Sequence, residues 1–282
     1  MKSLSKVKSL LIDLSGTIHV DDTAIQGAVE AIQRVKSSPI KIRFATNTTK
    51  ESQSYLWNRL NSLGFNIKID EIFTSLTLAR DLIVEKNLKP FLLLEDSAMD
   101  DFRNYVDVNI SSEKADSVVV GLAPKRFSYD YMNTAFRILH RGAPLIAVHK
   151  GRYYKRKDGL ALGPGPFVMA LEYASDVKAQ VIGKPEATFF KSAIKPFNCE
   201  TDEVAMIGDV CYLFLSFCTH FSNLKDVRDD IHGAQSVGMI GMLVKTGKYQ
   251  EGDENKINPQ PDFVFNSVVE AIDAILKETS NL

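Results

Sequence analysis

The feature that most constrains this chain is a set of short apolar runs, each of which stops at a residue able to do chemistry. Ser9-Leu10-Leu11-Ile12 stops at Asp13, and Leu14-Ser15-Gly16-Thr17 follows at once. Ile40-Lys41-Ile42-Arg43-Phe44-Ala45 stops at Thr46-Asn47-Thr48-Thr49. Ala179-Gln180-Val181-Ile182-Gly183 stops at Lys184-Pro185, and Glu203-Val204-Ala205-Met206-Ile207-Gly208 stops at Asp209. Such runs read as strands. Between them lie segments of helical period: 27–36, with Ala28, Ile32 and Val35 on one face, and a second carrying Leu56, Leu60 and Leu63, with Trp57 packed beside them and Gly64 as a stop. Strands and helices alternating through short connections predict an α/β doubly wound parallel sheet. In such a sheet ligands collect beyond the carboxyl ends of the strands, where all four of these polar residues fall.

The pattern continues with a helix over 78–85, strands over 91–94 and 117–121, a helix over 131–140 and a strand over 144–149. A basic, aromatic stretch at 150–159 then reads as a solvated hairpin or an anion-facing loop, and Gly163-Pro164-Gly165-Pro166 as a stiff loop. A strand over 239–244 follows, and the segment 262–265 precedes a closing amphipathic helix with Val268, Ile272 and Ile275.

Composition removes several classes of function. The 34 basic and 35 acidic residues leave a net charge of -1, which argues against nucleic acid or an anionic membrane as partner. The three cysteines, Cys199, Cys211 and Cys218, have no metal-ligand spacing and are too few for a disulfide framework, so a reducing, cytoplasmic setting is expected. The basic start Met1 to Lys8 precedes an apolar run, but Asp13 interrupts it well before the ~7–15 residues of a signal-peptide core. No stretch approaches the ~20 apolar residues of a membrane span.

Taken together, Asp13, Thr46-Asn47, Lys184 and Asp209 suit phosphoryl chemistry. Paired carboxylates suit Mg²⁺, a hard cation that is held by one or two carboxylates plus substrate phosphate oxygens. A threonine hydroxyl and a helix N-terminus expected just after Thr48 offer hydrogen bonds to phosphate. Lys184 is a point charge for the nucleophile and the phosphate oxygens, and Asp13 is a nucleophile that would form an aspartyl-phosphate.

These residues make the chain resemble the phosphatases of the haloacid dehalogenase superfamily. Its four motifs correspond to Asp13-Leu14-Ser15-Gly16-Thr17, Thr46-Asn47, Gly183-Lys184-Pro185 and Gly208-Asp209, and Val244-Lys245-Thr246-Gly247-Lys248-Tyr249 is a further matching stretch. The resemblance implies a Rossmann-like core over 1–77 and 181–282, with an inserted α/β cap domain of the superfamily's second type over 78–180. It implies Asp13 as nucleophile and Mg²⁺ ligand, Ser15 lending its backbone carbonyl to the metal, Thr46, Asn47 and Lys184 on the phosphate, and Asp209 on Mg²⁺. His149, Lys150, Arg152 and the 163–166 loop of the cap are candidates to face a small phosphorylated substrate. A homodimer is left open.

Two departures from that pattern matter. Ser15 stands where most phosphatases of the superfamily carry an aspartate as general acid and base, a contribution typically worth ~10²–10⁴ in rate. Alkyl phosphates should therefore be poor substrates, and phosphoramidates, pyrophosphate and aryl phosphates better ones. A family member acting on pyrophosphate and phosphoramidates also has serine here. The second departure is residues 210–225, rich in Phe, Leu and Cys, which follow Asp209 where the family carries a further metal-supporting aspartate within five residues. Removing 210–225 joins Asp209 directly to Asp226-Val227-Arg228-Asp229-Asp230 and puts Asp230 at that spacing. The segment reads as a retained intron or, alternatively, as a lid or dimerisation element. Two function classes remain: a Mg²⁺-dependent phosphatase, and a phosphate-binding or regulatory protein that has lost useful turnover. A dehalogenase using the same aspartate on carbon has no use for the paired metal carboxylates.

Overall fold

The computed structural model describes residues 2–156, 158–209, 230–256 and 258–279. The segment 210–225 and its two alternative readings therefore lie outside the described residues. In chain order come β1 (Ser9–Ile12), β2 (His19–Val20), β3 (Thr23–Ala24), α1 (Ala28–Lys36), β4 (Lys41–Thr46) and α2 (Gln53–Ser62). Next are β5 (Ile72–Thr74), α3 (Ser75–Glu85), β6 (Pro90–Leu93), β7 (Ser117–Val120), α4 (Tyr129–His140) and β8 (Leu145–Ala147). Then follow β9 (Tyr153–Arg156), β10 (Gly159–Leu162), α5 (Gly165–Ser175), β11 (Gln180–Val181) and α6 (Ala187–Ile194). The chain closes with β12 (Val204–Gly208), α7 (Ile231–Ser236), β13 (Ile240–Val244), β14 (Phe263–Phe265) and α8 (Val268–Thr279).

These elements form two compact units: Met1–Thr46, Trp57–Phe73 and Lys184–Leu282 in one, and Asn47–Leu56 with Thr74–Gly183 in the other. The first is built on a six-stranded sheet of order β14-β13-β12-β1-β4-β5. Its central strands are apolar and buried along their whole length, because helices cover both faces of a parallel sheet. β1 pairs in parallel with both β12 and β4, so the strand order turns outward in both directions from the β1/β12 pair. That pair is the topological switch point, the place where an open α/β sheet leaves a crevice at its carboxyl end.

The second unit has its own four-stranded sheet, β11-β8-β7-β6, with parallel pairing throughout. Alternate residues face opposite ways along it. Leu92, Val119 and Ile146 pack with Leu76, Ala79 and Ile83 of α3 on one face. Leu93, Val118, Val120 and Leu145 pack with Ile138 and Leu139 of α4 and Leu171 of α5 on the other. Among the described residues no helix is long and apolar enough to cross a membrane.

Three local expectations are corrected. The strand before Lys184 does not resume the first sheet: β11 pairs with β8, and the main-chain amides of Ile182 and Gly183 continue that pairing to Ala147 and Val148. A two-residue apolar strand fits either sheet, and only its partner decides. Gly163-Pro164-Gly165-Pro166 is not a free loop, since Gly165 opens α5; proline lacks an amide that the first helical turn would leave unbonded anyway. The helix expected just after Thr48 begins at Gln53, and the Gln53 amide already donates to both carboxylate oxygens of Asp101, at 3.0 and 3.1 Å. The anion at that N-terminus is the protein's own. The stretch at 150–159 contributes to the β9–β10 hairpin.

Candidate active site

The site lies at the carboxyl ends of β1 and β12 in the first unit. β1 ends at Ile12, and the Asp13 amide extends its ladder by donating to Ile207 O at 2.8 Å. This fixes the Asp13 side chain at the switch point, where only 6 % of the residue is exposed. β12 ends at Gly208 and delivers Asp209 beside it. Asp230 stands at the residue before the short helix α7, and Gly208 leaves the room it needs, since a Cβ on that glycine would lie 2.6 Å from the Asp230 Cβ. Oxygens of Asp13, Asp209 and Asp230 all come within 4.8 Å of one another. Among the described residues the donor set is three buried carboxylates with no softer ligand, which suits a hard divalent cation, and Mg²⁺ fits it.

Lys184 sits among them. Its Nζ donates to Asp13 Oδ1 at 2.6 Å, to Asp230 Oδ1 at 2.5 Å and to the Ala45 carbonyl at 3.1 Å. Burial works against the ammonium, yet the charges of Asp13 and Asp230 outweigh it and hold Lys184 above the usual lysine range. The carboxylates respond in the opposite sense. Burial, then the negative charge of Asp13, pushes Asp230 up to about 7 against the pull of Lys184. Burial, then Asp13 and Asp230, raises Asp209 well above the carboxylate range, and the Lys248 amide resists this in part. Lys184 bridges two of the three carboxylates, and its single charge falls short of theirs. That deficit is what a bound cation would relieve.

The remaining candidates fall in both units. Thr46 ends β4 and is buried in the first unit, whereas Ser15 is exposed on the turn after Asp13, with a bridge to His19. Asn47 belongs to the second unit, as do His149, Lys150 and Arg152. His149 Nε2 lies 3.1 Å from Thr49 Oγ1, its Nδ1 accepts from the Gly151 amide, and Lys150 pairs with Glu172 at 2.7 Å. Contacts that sequence reasoning did not assign are Thr17 Oγ1, which accepts the Asp209 amide at 3.0 Å, and the Lys248 amide, which donates to Asp209 Oδ2 at 3.1 Å. Thr17 stood in the first motif and Lys248 in a matching stretch without a motif role, so the residues were visible and their contacts were not.

Comparison with known proteins agrees with this arrangement. The family model described as haloacid dehalogenase-like hydrolase matches residues 10–106, and a second, HAD-hydrolase-like model matches 226–271, starting at the residue after 210–225. Haloacid dehalogenase-like hydrolase domain-containing protein 2 from Homo sapiens is 52% identical over 277 residues, covering 98% of this chain and 99% of that protein. Phospholysine phosphohistidine inorganic pyrophosphate phosphatase from Homo sapiens is 36% identical over 282 residues, with 98% and 97% covered. Among solved structures, the p-nitrophenyl phosphatase from Archaeoglobus fulgidus superposes with a TM-score of 0.82 at 25% identity, covering 95% of this chain and 99% of that one. The chain belongs to the haloacid dehalogenase-like hydrolase family.

Proposed function

We propose that this protein is a phosphatase that hydrolyses a small phosphorylated substrate through a phosphoryl group carried on Asp13. The observation that carries this reading is the buried bridge of Lys184 between Asp13 and Asp230, with Asp209 beside them. In this reading Asp13, Asp209, Asp230 and the Ser15 main-chain carbonyl hold Mg²⁺, and Thr46, Asn47 and Lys184 hold the phosphoryl group. When bound, Mg²⁺ supplies positive charge for the phosphoryl oxygens. The Asp13 carboxylate attacks phosphorus, and the bond to the leaving group breaks as the Asp13 O–P bond forms. Water then cleaves the acyl phosphate, returning the carboxylate and inorganic phosphate. Lys184 grips one oxygen of Asp13, which sets the approach of the other.

The leaving group follows from Ser15. A serine hydroxyl is no proton donor near neutral pH, so the leaving atom must depart without help. Aryl oxygens and the phosphate of pyrophosphate stabilise negative charge themselves, and a phosphoramidate nitrogen can carry its own proton. Two relatives, one named for phospholysine, phosphohistidine and inorganic pyrophosphate and the other for p-nitrophenyl phosphate, support the same preference. A panel of 4-nitrophenyl phosphate, pyrophosphate, a phosphoramidate and an alkyl phosphate tests it with the purified chain and Mg²⁺. The first three are expected to turn over at least ~10²-fold faster than the alkyl ester, with Asp13→Asn inactive throughout. Equal turnover of alkyl and aryl esters would overturn the leaving-group assignment. Ser15 also favours a second reading, a phosphate-binding protein with little turnover. Tight phosphate binding without Mg²⁺-dependent hydrolysis of any of the four would establish it.

A further inference from the structure

Asp209 is held differently from its two partners. The ammonium of Lys184 restrains Asp13 and Asp230, but Asp209 is gripped by main chain. Its own amide donates to Thr17 Oγ1 at 3.0 Å, and its Oδ2 accepts the Lys248 amide at 3.1 Å. That same oxygen lies between two glycines from loops far apart in sequence. A Cβ on Gly16 would come within 2.1 Å of Asp209 Oδ2, and one on Gly247 within 2.2 Å. Both glycines have positive φ, at +90° and +63°, so neither position suits a side chain on conformational grounds either. The two walls are fastened to each other: Thr246 Oγ1 donates to the Gly16 carbonyl at 2.5 Å. From the other side, the Lys245 amide donates to Phe265 O at 2.9 Å and the Tyr249 hydroxyl to Glu254 at 2.7 Å, tying the loop to the rest of the unit.

We infer that Thr246 is a positioning residue for the metal site: by tying the loop after β13 to the turn after β1, it closes the glycine slot that aims the Asp209 carboxylate at Asp13 and Asp230. The inference rests on the reading of Asp13, Asp209 and Asp230 as metal ligands and adds to it the device that orients one of them. The physical need is plain. Three carboxylates with oxygens within 4.8 Å repel one another, and Asp209 would relieve the repulsion by turning away. The slot blocks that retreat, so the repulsion is already in place when a cation arrives and the cation need not reorganise the site.

The test is Mn²⁺ binding to the full chain without substrate, measured by calorimetry or water-proton relaxation, for wild type, Thr246→Val, Thr246→Ser, Asp209→Asn and the Thr246→Val/Asp209→Asn pair. Removing the hydroxyl in Thr246→Val is expected to weaken Mn²⁺ binding about tenfold or more, the size typical of a lost ligand-orienting contact. Thr246→Ser keeps the hydroxyl and restores affinity. Because Thr246 acts through Asp209, the double variant binds no more weakly than Asp209→Asn alone. Wild-type Mn²⁺ affinity in Thr246→Val, or additive losses in the pair, would overturn the inference. So would a weakened Thr246→Ser with an unchanged fold by circular dichroism. Mn²⁺ binding that responds to Thr246 as described, in a protein with no phosphatase activity, would defeat the proposed function and leave this inference standing. Phosphatase activity together with indifference to Thr246→Val would do the reverse.

Discussion

Both units bury ionisable groups, and they do so for opposite ends. In the first, Asp13, Lys184, Asp209 and Asp230 are gathered so that each disturbs the others, and the carboxylates outnumber the ammonium. In the second, Asp101 and His149 each answer to the main chain. Asp101 accepts the Gln53 amide, and His149 accepts the Gly151 amide and meets the Thr49 hydroxyl. Burial pushes Asp101 up to about 6, against the Gln53 amide and the charge of Arg80, and pushes His149 down to about 4. A cluster that is frustrated without a ligand has the character of a binding site, whereas an isolated buried group satisfied by amides has the character of a structural tie.

The largest effect is expected where the frustrated cluster loses the ammonium of Lys184. Lys184→Met leaves Asp13 and Asp230 buried without their partner, and breaking a buried pair on one side costs about 3–5 kcal/mol. Urea unfolding at neutral pH without metal measures it, and phosphatase activity should vanish together with that stability. If Lys184→Met unfolds at the same urea concentration as wild type, the carboxylates are not ionised together and the contrast between the units fails.

How much of this could be read beforehand differs between the same two regions. The runs ending at Asp13 and Asp209 were legible as strands because a central parallel strand is almost wholly apolar, and the run ending at Thr46 because Ile42 and Phe44 alternate with Lys41 and Arg43. Asp230 was legible only through the family's spacing, because residues 210–229 separate it from Asp209 and periodicity says nothing across such a gap. The sheet to which β11 belongs was not legible, since two apolar residues carry no partner preference. Nor was the glycine slot: Gly16 and Gly247 are ordinary turn glycines in sequence, and only folding brings both of them to Asp209 Oδ2. Local pattern tells which residues end strands, and the long-range contacts that aim them are settled by packing.

A middle-sized effect should separate the units by ligand. Mg²⁺ at about 100 times its dissociation constant is expected to stabilise the folded protein by about 2.7 kcal/mol, and chelation should reverse it. Asp209→Asn should greatly reduce the shift at the same Mg²⁺ concentration, while Asp101→Asn, in the other unit, should leave it intact. Thermal unfolding with and without Mg²⁺ measures both. A Mg²⁺ shift undiminished by Asp209→Asn would move the cation away from the three carboxylates.

The smallest effect sharpens the comparison from the second unit, where pH takes the place of metal. Asp101 has an ordinary value of 3.8 and a folded value of about 6, so the folded state holds its proton more tightly. Its contribution to stability is complete below 3.8 and is lost as pH rises through about 6. His149 runs the other way, from an ordinary 6.5 down to about 4 in the folded chain. Its contribution is complete above 6.5 and is lost as pH falls towards 4. His149 as a residue is half-buried. Across the shared window the two slopes oppose each other, and the wild type should show a flatter pH dependence than either single variant. Asp101→Asn exposes the histidine slope, so stability climbs more steeply with pH than in wild type. His149→Gln exposes the aspartate slope, so stability changes with pH in the falling sense relative to wild type. Urea midpoints measured from pH 4 to 6.5 for the three proteins decide it. Parallel curves would mean that neither group titrates as an isolated buried site, and the distinction from the Asp13 cluster would then rest on that cluster alone.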